Sequence, residues 1–147
     1  MDLSGLKWPL VIVVLIAIAW LGSSGGVNWM ISNATAATPG ADAAQDEKDE
    51  ARLTKIGGYL MMLWRYEKAS QVFYTAMDRY GVEGENYYYN LYRLAKCEEK
   101  LDNYGGARNM LQKLIAQEAW THDDRVPGFD NLNLRQQKLT ELHELPQ

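Results

Sequence analysis

The chain has 147 residues, 47% hydrophobic and 23% charged, with a net charge of −4, which suits one small domain plus an appendage. From Lys48 onward 14 Lys/Arg face 15 Asp/Glu, since only Lys7 and only Asp2, Asp42, Asp46 and Glu47 come earlier; no basic patch stands out, and nucleic acid is not an expected partner. A single cysteine, Cys97, excludes an internal disulfide framework and any CxxC or CxxCH site.

The chain opens with seven residues carrying one lysine, followed by the apolar run WPLVIVVLIAIAWL (8–21). A secretory signal would end in a small-residue cleavage site, and ATA (34–36) has that form. A membrane anchor is the favoured expectation. Ala36 lies far from Leu21 for a cleavage site, and GSSGGVNWMI (22–31) continues the segment with residues a helix can carry. On one straight helix Trp8 and Trp29, 21 residues apart, lie about 31 Å apart. That matches a hydrocarbon core of about 30 Å with a tryptophan at each interface. Small residues Ser23, Ser24, Gly25 and Gly26 would let a second helix approach. Lys7 precedes the run and no Lys or Arg follows before Lys48, so the positive-inside bias places the N-terminus in the cytoplasm and the remainder in a periplasm, on a bacterial inner membrane.

Residues 32–50 read as a linker, small and then charged, that turns helical somewhere between Ala43 and Glu50. NAT (33–35) is a glycosylation sequon with meaning only in a eukaryotic secretory context. Beyond 50 the apolar period is helical. Leu53, Ile56, Leu60 and Leu63 form one face, and Ala69, Val72, Phe73, Ala76 and Tyr80 a second. Leu91, Leu94, Ala95 and Leu101 form a third, and Ala107, Leu111, Leu114 and Ile115 a fourth. LWRY (63–66) and LDNY (101–104) supply turns, the second with Asp102 or Asn103 as a helix cap. NLNLRQQKLTELHEL then reads as a last helix over 130–145, capped by Asp130 and ended by Pro146, with Leu132, Leu139 and Leu142 on one side. The expected domain has five helices, or six if Asp46–Arg52 stands alone.

A shift of 38 residues lays YEKA (66–69) on YGGA (104–107), Leu53 on Leu91, Ile56 on Leu94, Gly57 on Ala95 and Phe73 on Leu111. With small residues at Gly57, Ala69 and Ala76 around Phe73, the chain resembles the tetratricopeptide repeat, a helix–turn–helix unit of about 34 residues. Leu60 departs from that pattern where tyrosine is usual, Gly81 where proline is frequent, and Glu98 and Leu114 weaken the second unit. About four extra residues fall in GVEGENYYYN (81–90). The resemblance covers residues 50–121 and implies an all-α fold: an N-terminal transmembrane helix (1–31), a linker (32–50), two helical hairpins (51–121), and a loop with a capping helix (122–147) that covers the open end.

The resemblance also implies a groove lined by the first helices of each unit, presenting Thr54, Gly58 and Met61, then Tyr89, Tyr92, Lys96 and Glu99. Four tyrosines in NYYYNLYR (86–93) cannot all face one core, so some are expected at a surface. Of Met61, Met62 and Trp64, at least two are expected in the core. Cys97 reads as a buried small hydrophobe. THDD (121–124) reads as a solvated loop rather than a metal site, and no catalytic pairing, metal or cofactor site is expected. The expected function is that of a membrane-anchored scaffold or accessory subunit bound to the bilayer and to other proteins of a membrane complex, with no small-molecule substrate. The alternatives are a mobile envelope adaptor or chaperone-like factor that binds client peptides, and a secreted binding module cleaved after Ala36.

Overall fold

In the computed structural model the backbone is described for residues 4–143 and the side chains for 7–143; Leu145 and Pro146, at the expected end of the last helix, lie outside these. Among the described residues there are seven α-helices, one short 3-10 turn and no strand. They form two compact units, Met1–Ala36 and Ala37–Gln147.

The first unit corrects the expected straight helix. Helix α1 (Ser4–Gly22) stops at Ser23 and α2 (Ser24–Ala34) leaves at 70° to it. Among the described residues no single helix is long and apolar enough to cross a membrane, although the bent pair together has the length and composition to do so. The break is built from local chemistry. Ser23 Oγ accepts the Gly26 N–H (3.2 Å) and donates to the Trp20 carbonyl (2.6 Å), meeting two backbone groups that helix ends leave open. Gly26 is required by close approach, since a Cβ there would lie 2.2 Å from the Trp20 carbonyl oxygen. Trp20 and Trp29 then meet across the bend, ring centroids 5.8 Å apart. The 31 Å expected between Trp8 and Trp29 therefore does not hold.

The second unit is a series of antiparallel helices, each packed on the next: α3 (Ala43–Met62), α4 (Tyr66–Tyr80), α5 (Tyr87–Lys100), α6 (Tyr104–Ala116) and α7 (Phe129–Leu142), with a 3-10 turn at Ala119–Thr121. Asp42 starts α3 by accepting the Ala44 N–H (3.0 Å). Asp46–Arg52 is continuous with α3 and not a helix of its own.

The 38-residue shift reappears in the backbone. Trp64 and Asp102, related by it, both have left-handed φ (56° and 61°). Arg65 N–H bonds Leu60 O (2.9 Å) and Trp64 N–H bonds Met61 O (3.1 Å); Asn103 N–H bonds Glu98 O (2.9 Å) and Asp102 N–H bonds Glu99 O (3.3 Å). Both turns are thus Schellman closures with the same register. Asn103, not Asp102, caps α6 through Gly106 N–H (3.1 Å), and Asp102 instead accepts the Tyr104 hydroxyl.

The small residues around Phe73 on α4 face inward with it: Ala69, Phe73 and Ala76 are all buried. A Cβ on Gly57 would lie 2.5 Å from the Phe73 ring, so the ring occupies the space that the missing side chain leaves. At the other end of α4, Gly81 takes φ 64° and ψ −164°, a region open in practice to glycine alone. The extra residues that follow are docked by α3: Glu50 accepts the Asn86 N–H (2.9 Å) at the start of α5, and Gly84 lies so close that a Cβ would fall 2.5 Å from Glu50 Oε1. Burial is the largest influence on the Glu50 carboxyl and pushes its pKa up, against the lowering effect of the bonds from Asn86 and Glu85.

A second core joins α5, α6 and α7 through Tyr87, Leu91, Ala95, Ala107, Leu111, Leu114, Leu132 and Leu139, closed by Ala119 and Val126. Gly128 rather than Asp130 is the N-cap of α7. Leu101 and Leu142, expected on apolar faces, are exposed, and so are Met62 (77%) and Trp64 (79%). Apolarity placed them in a core, but they sit in turns and at a helix end where the backbone leads them outward.

Candidate functional site

The expected groove residues lie on α3 and α5, which touch along part of their length. At this seam Gly58 leaves the α3 backbone bare, and the Arg93 guanidinium from α5 lies across it, 3.0 Å from where a Cβ would stand. Arg93 Nε donates to Met61 Sδ (3.2 Å) and its terminal nitrogen donates to the Tyr89 hydroxyl. The guanidinium also lies over the Tyr89 and Phe73 rings, at 5.3 and 5.9 Å from their centroids, within cation–π range. Among the described residues no carboxylate pairs with Arg93, whereas Arg52, Arg125 and Arg135 each have one.

Arg125 also lies over the Tyr89 ring, 4.5 Å from its centroid. Arg125 is itself fixed by Asp123 (2.7 and 2.8 Å) and by Asn86 Oδ1 (3.0 Å). Burial pushes the Asp123 carboxyl up, but the bonds and charge of Arg125 together outweigh it and hold the carboxyl below its ordinary value. Tyr89 thus has two cations near its ring, Arg125 paired with a carboxylate and Arg93 without one among the described residues. Further along α5, Lys96 lies over Tyr92 (5.0 Å) and Glu99 bonds Arg135 of α7 (2.8 Å). Glu99 is therefore taken up in joining α5 to α7.

Of the expected groove residues, Met61, Tyr89, Tyr92 and Lys96 are half-buried. Thr54 is buried and its hydroxyl donates to Glu50 O (3.1 Å) within its own helix, so it offers a partner no donor. Tyr87 is in the core with its hydroxyl accepting from Lys113 (2.6 Å), and Tyr88 stacks on His122 (5.0 Å). With Asp123 committed to Arg125, THDD has its imidazole and one carboxylate in structural contacts. No group of three metal-ligating side chains occurs among the described residues. Cys97 is fully buried, and burial pushes its thiol up to about 11, far from a reactive thiolate. Neighbouring Glu98 is also buried, accepting from Ser70 Oγ (2.9 Å) and Asn103 Nδ2 (2.6 Å).

Arg93 is the seam residue that sequence reasoning missed. Its signal was Tyr89 four positions earlier on the same helix, a spacing at which side chains meet. Arg125 carried no local signal, lying 36 positions from the ring it covers. No family model, no curated protein and no solved structure matches this chain.

Proposed function

We propose that the chain is a membrane-tethered, tetratricopeptide-like scaffold, an accessory subunit that binds a partner protein of a larger membrane assembly on the α3–α5 seam. The observation that carries this reading is Arg93. A guanidinium is a fork of donors suited to a carboxylate, and here it lies across Gly58, held by a thioether and a phenol. A partner's carboxylate brought to the outer side of Arg93 meets a cation already oriented, so little ordering cost is added on binding. Met61, Tyr89, Tyr92 and Lys96 supply apolar and polar area around it. The tether raises the effective concentration of this seam near its partners. Support for membrane attachment is compositional: residues 8–41 contain no ionisable side chain, and Lys7 before them favours a cytoplasmic N-terminus. The reading is one of binding, with no catalytic role.

Purification of the native chain through a C-terminal tag in mild detergent, followed by mass spectrometry, tests it. Partners recovered at fixed ratio at moderate salt support a subunit. Arg93→Gln is expected to lower their recovery about tenfold, the loss of one charge-assisted hydrogen bond worth about 1.5 kcal/mol. A changing set of substoichiometric clients would instead mark a mobile adaptor. One observation favours a secreted module: the boundary between the compact units falls after Ala36, at the expected cleavage site. An intact mass beginning at Ala37 would establish that form and remove the tether.

A further inference from the structure

We infer that in a bilayer residues 4–34 form an elbow and not a straight span, with α1 inserted and α2 lying along the headgroup boundary so that Trp20 and Trp29 share one depth. This rests on the membrane reading above and specifies how the segment meets lipid. Beyond Lys7 helix α1 is apolar on every side, and Leu10, Ile12, Val13, Leu15, Ile16 and Ile18 are all more than half exposed, so the surface it offers there is lipid-like all round. Set upright, its stretch Lys7–Gly22 rises about 24 Å, short of a hydrocarbon core of about 30 Å, so the bilayer thins around it or the Lys7 side chain snorkels to the far boundary. The 11 residues of α2, turned by 70°, add only about 6 Å of rise. That helix therefore runs nearly in the membrane plane.

The chemistry of α2 suits that place. Ser24, Asn28, Ser32 and Asn33 are exposed along it. A straight helix with Trp29 at its far boundary would carry Ser24 into hydrocarbon, where polar groups are costly, whereas at the headgroups water and lipid oxygens meet all four. The break itself sits where unpaired backbone is tolerated, with Ser23 bonding Trp20 O and Gly26 N–H. Trp20 and Trp29 in contact across the bend put two indoles at one level, at the boundary that tryptophan prefers.

The test is fluorine NMR of the full chain, labelled with fluorotryptophan and reconstituted in vesicles of phosphatidylethanolamine and phosphatidylglycerol. Spin labels are placed either at the lipid headgroup or at the acyl-chain end, and single Trp→Phe variants assign the signals. The elbow requires Trp20 and Trp29 to be attenuated equally, and more strongly by the headgroup label than by the chain-end label. On a straight span Trp20 lies between Trp8 and Trp29 near the midplane, so stronger attenuation of Trp20 by the chain-end label would overturn the elbow while leaving the anchor intact. If Trp8, Trp20 and Trp29 all respond only to a water-soluble paramagnet, as exposed Trp64 should, the membrane reading itself fails. Gly26→Ala places a methyl against the Trp20 carbonyl and is expected to open the bend, separating the Trp20 and Trp29 attenuations by at least twofold. An unchanged pair in that variant would also overturn the elbow.

Discussion

The hairpins α3–α4 and α5–α6 reach the same backbone turn by different chemistry. In the first, Leu60 is buried where the second has Glu98, and an exposed tryptophan holds the left-handed position that Asp102 holds in the second. Glu98 is buried yet bound by Ser70 and Asn103, so a polar network does in one hairpin what apolar burial does in the other. Between the helices, Gly57 with Phe73 corresponds to Ala95 with Leu111: where one partner loses a methyl the other gains a ring. The difference shows that the hairpin is specified by the total volume between its helices and by the Schellman closure, and not by the identity of any one residue.

The sharpest way to break this equivalence is at Phe73. Phe73→Ala should cost about 4 kcal/mol as a buried cavity, read as the urea midpoint of the chain in mild detergent. Gly57→Ala should cost about 2 kcal/mol by overpacking against the ring. Combining Gly57→Ala with Phe73→Leu, which transplants the second hairpin's pair, should recover most of that loss. A double variant as unstable as the sum of its parts would show that the two interfaces are not volume-equivalent.

A smaller effect is expected at the turns. Left-handed backbone costs an ordinary residue about 1 kcal/mol or more, and asparagine less. The Trp64 side chain is 79% exposed and returns little packing. Trp64→Asn should therefore raise stability by about 1 kcal/mol, while Asp102→Trp should lower it by a similar amount. A loss at Trp64→Asn would mean that the indole is held by packing after all.

The smallest effect is a pH dependence at Glu50, the carboxylate that docks the start of the second hairpin onto the first. Burial raises its folded pKa above the ordinary 4.5, so folding favours the protonated form. Its contribution is fully present below the unfolded pKa and is lost as pH rises through the raised folded value. Glu50→Gln keeps an oxygen to accept the Asn86 N–H without the charge. Its stability relative to the native chain should rise between about pH 4 and pH 7. A difference that stays flat over that range would show Glu50 to be as solvated folded as unfolded.

Much of the hairpin architecture was legible because its causes are local. Apolar spacing, the small residues flanking Phe73 and the turn at 63–66 act over a few positions, and the 38-residue shift carries them from one hairpin to the next. The elbow was less legible although its residues were in view. Ser23, Ser24, Gly25 and Gly26 suit a helix that continues, a helix that is approached by another, and a helix that breaks; only the contact of Gly26 with the Trp20 carbonyl selects the last. Met62 and Trp64 were misplaced because hydrophobicity says what a side chain prefers and not which way a turn aims it.

What the sequence by itself determined is the five helices of the second unit and the register relating the two hairpins, since hydrogen bonds within a helix and burial along its face depend on near neighbours. Tertiary structure alone decided which polar groups meet across helices. Glu50 reaches Asn86 over 36 positions, Arg93 reaches Met61 over 32, and Arg135 reaches Glu99 over 36. Such pairs depend on how far one helix slides along another, and that is set by how the whole core packs rather than by any stretch of chain.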